Sequence, residues 1–415
     1  MTNPREFCRI NVYINFGADK YNEPDERSGK VKTKDQKTLY IVAAVCGASV
    51  ILFGLGVLVA FLLARGGGTE KNPRVSLSEV RGVWIASVYG IDFPSSPNLD
   101  AAGLQSEIDE IVENAASLGL NTVCFQVRPS ADALYDSKIF PVSAYLSADR
   151  TLTLDALEYM VKVAHEKNIA VFAWVNPLRV TASTGGRESL PESHPAALHP
   201  DWAVEYADGR LYFDCGIPAV RELIADGVRE IVENYEVDGV IFDDYFYPYP
   251  TKVEVEEKEV TAPFNDDSTF AEYGKDFEDI GDWRRENVNQ MVHLCYDAVK
   301  SADVECAFGV APFGIWKNGY GGETGSETRG AQSYRDIYCD TLAWVQGGYV
   351  DFVAPQLYWR SVDSAAPYDI LCDWWAEAVA ETDVRLLICH GAYRYSGDWQ
   401  DPEGNLTAQV EYAGE

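Results

Sequence analysis

An alternation of two kinds of segment constrains this chain more than any other feature. Seven short, nearly continuous apolar stretches have the length and the β-branched and aromatic content of strands. They are "RGVWIAS" (81–87), "NTVCFQVRP" (121–129), "IAVFAWVNP" (169–177), "DGVIFDDYFYP" (238–248), "ECAFGVAPFG" (305–314), "DFVAPQLYW" (351–359) and "RLLICHGAYR" (385–394). Helical patterns separate them, near 102–118, 154–168, 218–234 and 283–301, and again between the last three. Strands apolar on both faces, alternating with helices, predict parallel pairing with the sheet covered. Seven units exceed what most open sheets use, so the expected fold is α/β, a (β/α)8 TIM barrel. A doubly wound sheet is the alternative, and it would want a glycine-rich phosphate loop after the first strand, where none occurs. The sequence ends "DPEGNLTAQVEYAGE", which reads as the helix before an eighth strand, so the barrel is expected to lack that strand.

One further segment sets the expected placement. Leu39–Ala64 is a run of 26 residues without a charge, long enough to span a bilayer as one tilted helix. A cleaved signal peptide would have a shorter apolar core and start nearer the N-terminus. Lys30, Lys32, Lys34 and Lys37 precede the run, while Glu70 dilutes Arg65, Lys71 and Arg74 after it. That asymmetry predicts a single-pass protein of the cell membrane, N-terminus cytoplasmic and large domain extracellular. The expected organisation is a flexible cytoplasmic tail (1–38), a transmembrane helix (39–64), a linker (65–78) and the barrel domain (79–415). A net charge of −31 argues against nucleic acid and against docking on anionic lipid. No protein partner is legible.

Of the nine cysteines, Cys124, Cys306 and Cys389 sit in apolar strand-like runs, and Cys295, Cys339 and Cys372 in helix-like ones. No spacing resembles a metal knuckle, and a domain of this size needs no staples, so buried thiols are expected. Neither a metal nor a cofactor is expected.

In such barrels ligands are handled at the C-terminal ends of strands. The candidate binding rim there is Trp84, Asp92, Gln126, Arg128, Trp174, Asn176, Arg179, Tyr245, Tyr247, Gln356, Tyr358, Trp359, His390 and Tyr393. Aromatic faces stack on sugar rings, while amides and guanidinium groups bond hydroxyl and acetamido groups. The carboxylates that stand out are Asp243 and Asp244, side by side where the fourth strand ends, with Asp92 a more distant candidate. Neighbours on a regular strand face opposite ways, so both reach one mouth only if the chain turns there. An acidic stretch, Thr251–Asp282, follows and reads as mainly solvated surface over the site.

Seven ordered blocks give a more specific signal. "EVRGVWIASVYGIDFPS", "NTVCFQVRPSADALYDS", "FAWVNPLRV", "DGVIFDDYFYPYP", "DWRRENVN", "FGVAPFGIWKN" and "DFVAPQLYW", between about Glu79 and Arg394, resemble the glycosyl-hydrolase-like 10 family of bacterial envelope proteins. The resemblance implies a (β/α)8 barrel acting on glycosidic bonds, with peptidoglycan glycan strands as the polysaccharide substrate.

Glycosidases normally pair a general acid with a second carboxylate from another part of the site. The fifth strand ends "APFG" and the seventh "GAYR", so neither supplies one. A consecutive pair resembles hexosaminidases that use the substrate's acetamido group as nucleophile. On that reading Asp244 is the acid and Asp243 the orienting group, or the reverse. A non-catalytic glycan-binding barrel and an envelope polysaccharide deacetylase are the alternatives. A zinc deacetylase would want an Asp and two His at the rim, where only His390 qualifies.

Overall fold

The computed structural model describes residues 9–12, 76–322, 324–394 and 406–414. The expected transmembrane segment Leu39–Ala64 lies outside them, as does most of the linker; among the described residues no helix is long and apolar enough to cross a membrane.

The sheet contains β1 (Arg9–Val12), β2 (Gly82–Ile85), β3 (Thr122–Arg128), β4 (Ala170–Val175), β5 (Gly239–Phe242), β6 (Ala307–Val310), β7 (Phe352–Val353), β8 (Gln356–Leu357) and β9 (Arg385–His390). Its order is β1-β2-β3-β4-β5-β6-β7-β9-β8, all pairings are parallel, and β7 and β8 are successive pieces along one edge of β9. The curled parallel sheet is that of a TIM-like barrel, and all seven sequence-predicted strands are present.

The eighth place differs from expectation. β1 pairs with β9 from Arg9↔Leu387 to Val12↔His390 and with β2 at Asn11↔Gly82, joining the two ends of the sheet. These four residues belong to the stretch expected to be a featureless cytoplasmic tail. "RINV" alternates polar and β-branched apolar residues, a strand period too short to stand out in the sequence. The driving force is the row of unpaired amides that an open edge would leave. The C-terminal helix expected after β9 is present as Leu406–Gly414.

The main helices are α1 (Ala101–Ser117), α2 (Ala156–Glu166), α3 (Pro218–Asn234), α4 (Ile280–Ala302), α5 (Thr341–Gly347), α6 (Tyr368–Val379) and α7 (Leu406–Gly414). Asp100, Asp155, Asp279 and Asp340 cap α1, α2, α4 and α5 by accepting a backbone N–H of the first turn. In α1 the buried set Leu104, Ile108, Ile111, Val112 and Ala115 follows the 3.6-residue period. Gly119, at the expected helix end, has φ +71.

Two cores follow from strand alternation. Val123, Phe125 and Val127 of β3 face the helices, in the large core that also holds Val240, Phe242, Phe308, Leu386 and Ile388. Their neighbours Cys124, Phe172, Ile241, Phe352, Leu387 and Cys389 fill the lumen with Trp84. The seven cysteines among the described residues are free and buried, as expected. The acidic stretch after β5 forms an exposed hairpin, Lys252–Val255 with Lys258–Thr261, and a short helix, Asp267–Tyr273.

Gly309 of β6 is what lets the lumen close. A methyl group there would lie 2.4 Å from the Phe352 ring, which sits 5.5 Å from Phe172. Gly309→Ala is therefore expected to cost about 1–3 kcal/mol by overpacking, read as a lowered midpoint in chemical denaturation.

Candidate active site

Ile241 points into the lumen, so two residues later Asp243 does too. The strand ends at Phe242. The chain then turns, the Tyr245 amide approaching Asp243 Oδ1 at 3.3 Å and Phe246 N–H donating to the Asp244 carbonyl at 3.1 Å. That turn brings Asp244 to the mouth its strand parity would have denied it. Both carboxylates line one cavity of about 170 Å3, with Trp84, Trp174, Tyr245, Ala311, Gln356 and Tyr358. The two aspartates are each only 4% exposed.

Each carboxylate has its own donors. Asp243 Oδ2 accepts from Trp174 Nε1 at 3.0 Å and from Asn176 Nδ2 at 3.1 Å. Asn176 is set for this by its position directly after β4: its N–H bonds the Arg128 carbonyl, and its Oδ1 accepts from Arg179 N–H. Asp244 Oδ2 accepts from the Tyr249 hydroxyl, and the Gln356 side chain also bonds Asp244. Pro248 and Pro250 bracket Tyr249, restricting the backbone that carries it. Burial raises both carboxyl groups; Asp243 reaches about 6, with Arg179 opposing the rise and the charge of Asp244 adding to it. Two acids this close and dry favour one shared proton near neutrality.

The indoles of Trp84 and Trp174 cross edge to face at 4.9 Å. Trp84 Nε1 is buried and has no hydrogen-bond partner, a donor facing an unfilled need at the cavity wall. The Arg179 guanidinium lies 5.0 Å from the Tyr245 ring and donates to the Pro129 carbonyl. Tyr245, Tyr249, Phe313 and Trp359 form a chain of ring contacts, spaced 5.7, 6.1 and 5.4 Å, leading away from the acids. Tyr393, exposed, stands 6.0 Å from Tyr358.

Several rim candidates lie elsewhere. Gln126 Oε1 accepts from the amides of Ser87 and Val88, both at 2.9 Å, and so fixes the first loop. Asp92 Oδ2 accepts from Ala86 N–H at 2.8 Å in the same loop. The ladder slips between Gln126 and Arg128, and this irregularity turns Arg128 out toward the helices. Its guanidinium lies 3.7 Å from the Phe140 ring and against Gly227 of α3. His390 follows lumen-facing Cys389 and so points outward, stacked at 5.7 Å on Tyr368 of α6; burial lowers its pKa to about 4. Tyr247 packs on Phe264 and Tyr338. Tyr249, Ala311 and Phe313 were not singled out from the sequence. The "YPYP" run after the two acids was the available signal for Tyr249.

The glycosyl hydrolase-like 10 family model matches residues 79–402, nearly the whole barrel. The chain belongs to that family. It is 40% identical over 333 residues to the glycosyl hydrolase YngK of Bacillus subtilis (strain 168), an alignment covering 78% of this chain and 64% of that protein. The chain thus spans about 64% of YngK's length. It is 37% identical over 346 residues to the glycosyl hydrolase DigH of Escherichia coli (strain K12), covering 79% of this chain and 76% of that one. Among solved structures, the glycoside hydrolase domain of PgaB (BpsB) from Bordetella bronchiseptica matches 72% of this chain and 80% of its own, with TM-score 0.44 and 12% identity.

The raised Asp243 carries a linkage consequence. Its folded pKa of about 6 exceeds the 3.8 of a free carboxyl, so the folded state holds the proton more tightly and stability falls as pH rises through that interval. Ionised at pH 7.5, Asp243 costs up to about 3 kcal/mol. Asp243→Asn should therefore be more stable than the parent by ~1–3 kcal/mol at pH 7.5, with the gain shrinking as pH falls below 4. Urea titrations at several pH values measure it, and no gain at pH 7.5 contradicts it.

Proposed function

We propose that this protein is a glycosidase acting on peptidoglycan glycan strands or a related amino-sugar polysaccharide, with Asp243 and Asp244 as its catalytic pair. The observation that carries the reading is the two adjacent, dry carboxylates in one small cavity walled by crossed indoles, with a Trp84 N–H left unbonded. The family's name and the relatives named above support hydrolysis of glycans. A cavity below the usual 300–1000 Å3 of ligand pockets suits one sugar residue of a chain.

In the mechanism we infer, the acetamido oxygen of the bound sugar attacks its own anomeric carbon. The glycosidic C–O bond breaks as Asp244 gives its proton to the leaving oxygen. Asp243, held as carboxylate by Trp174 and Asn176, accepts the acetamido N–H and stabilises the ring that forms. Asp244 then takes a proton from the water that opens that ring, regenerating the acid. Tyr249 and Gln356 hold the Asp244 carboxyl in place. A deacetylase is disfavoured because His390, the rim histidine it would need, lies beneath Tyr368.

Defined glycan strands, followed by reducing-end release and mass analysis, test the reading. Asp243→Asn and Asp244→Asn should each lower kcat by ~10^3-fold or more, while both remain folded. The wild-type rate should rise with pH through about 6 as Asp243 ionises. Full activity in either variant rejects the pair, and binding without cleavage by wild type leaves a glycan-binding barrel.

Attachment to the cell membrane through Leu39–Ala64, with the barrel outside, is part of the same proposal. One span between Arg9–Val12 and Gly82 would put the two strands on opposite sides, so that topology and the β1 pairing exclude each other in one molecule. Cys8, the sole cysteine in residues 1–38, reports which holds. An impermeant thiol reagent on intact cells should leave Cys8 unlabelled until lysis. Labelling before lysis places the tail on the barrel's side.

A further inference from the structure

Beyond Tyr249 lies a second cavity, of about 590 Å3, that the roles above leave unused. Tyr249 lines it and also bonds Asp244, so one side chain links the two spaces. We propose that this cavity is a subsite for a glycan residue carrying a free carboxylate; the inference rests on the glycan-hydrolase reading above.

Charge is the first argument. Lys252, Arg284 and Arg335 line the wall against one acid, Asp336, in a chain whose net charge is −31. Arg284 is neutralised by the fully buried Asp266 behind it, and Asp336 accepts from Gln332 N–H at 2.7 Å. The Lys252 ammonium bonds the Thr261 hydroxyl at 2.9 Å, a neutral partner. Glu254 and Glu259 lie farther out on the same hairpin, outside the cavity wall. A cationic surplus on so acidic a molecule suits an anionic group, and a guanidinium beside an ammonium suits a carboxylate.

The second argument is an unmet polar need. The Tyr247 hydroxyl at this wall is buried and, among the described residues, has no partner. Tyr206, Phe264 and Tyr338 add apolar faces of the kind on which pyranose rings stack. Aromatic floor, orphaned hydroxyl and cationic rim together describe an acidic sugar next to the one at the acids.

The test uses the full chain and two probes, amino-sugar glycan strands with free lactyl carboxylates and the same strands amidated. Binding is read by tryptophan fluorescence in the Asp243→Asn variant, and cleavage in wild type. The carboxylated strand should bind about ten-fold more tightly at low salt. In Asp243→Asn combined with Lys252→Gln and Arg335→Gln, both exposed positions, the preference should fall below two-fold. Equal binding of the two strands overturns the subsite, as does a preference that survives the added substitutions, or no binding at all. Preferential binding without cleavage by wild type upholds the subsite and defeats the hydrolase reading.

Discussion

Two carboxylates kept out of water at the end of one strand govern the arrangement around them. Removing a charge from solvent is costly unless donors replace the water. The surroundings of Asp243 and Asp244 answer that cost unequally. Asp243 takes two N–H groups from the neighbouring β4 end, while Asp244 takes a hydroxyl from five residues further along its own chain. The first arrangement is rigid, because Trp174 belongs to a strand and Asn176 follows it directly. The second depends on a loop. An asymmetric setting of this kind is what gives two chemically identical acids different protonation behaviour.

Much of the fold was legible because strand and helix periods are local properties of sequence. Apolar runs of the right length sufficed for seven strands, and the capping aspartates and Gly119 marked helix ends. The β1 strand was not legible, since four residues carry no periodic signal and their pairing with β9 is a contact between the two ends of the barrel.

The site was legible to the level of which strand ends matter, and less so for which way each side chain points. Gln126, Arg128 and His390 show the difficulty. All three occupy strand ends and carry groups suited to sugars. Gln126 spends its amide oxygen on the backbone of the first loop, and Arg128 is rotated outward by a slip in the ladder. His390 falls on the outward parity of β9. Hydrogen bonds to backbone and a one-residue irregularity are tertiary facts. Tyr249 was missed for a related reason, since its value lies in a bond to a residue that only the turn after Phe242 brings near.

The lumen packing has a consequence for how a polymer would meet this protein. Phe172 and Phe352 lie against each other beneath the strand-end turn, with Trp84 above in the same cluster and Gly309 giving up its side chain to make room. The barrel is thus a cup with a solid aromatic floor, so no chain can thread through it. A long glycan would have to lie across the lip, dipping one residue at a time toward the acids while its remainder stays on the outer surface. An enzyme of that shape has no need of a chain end to begin work.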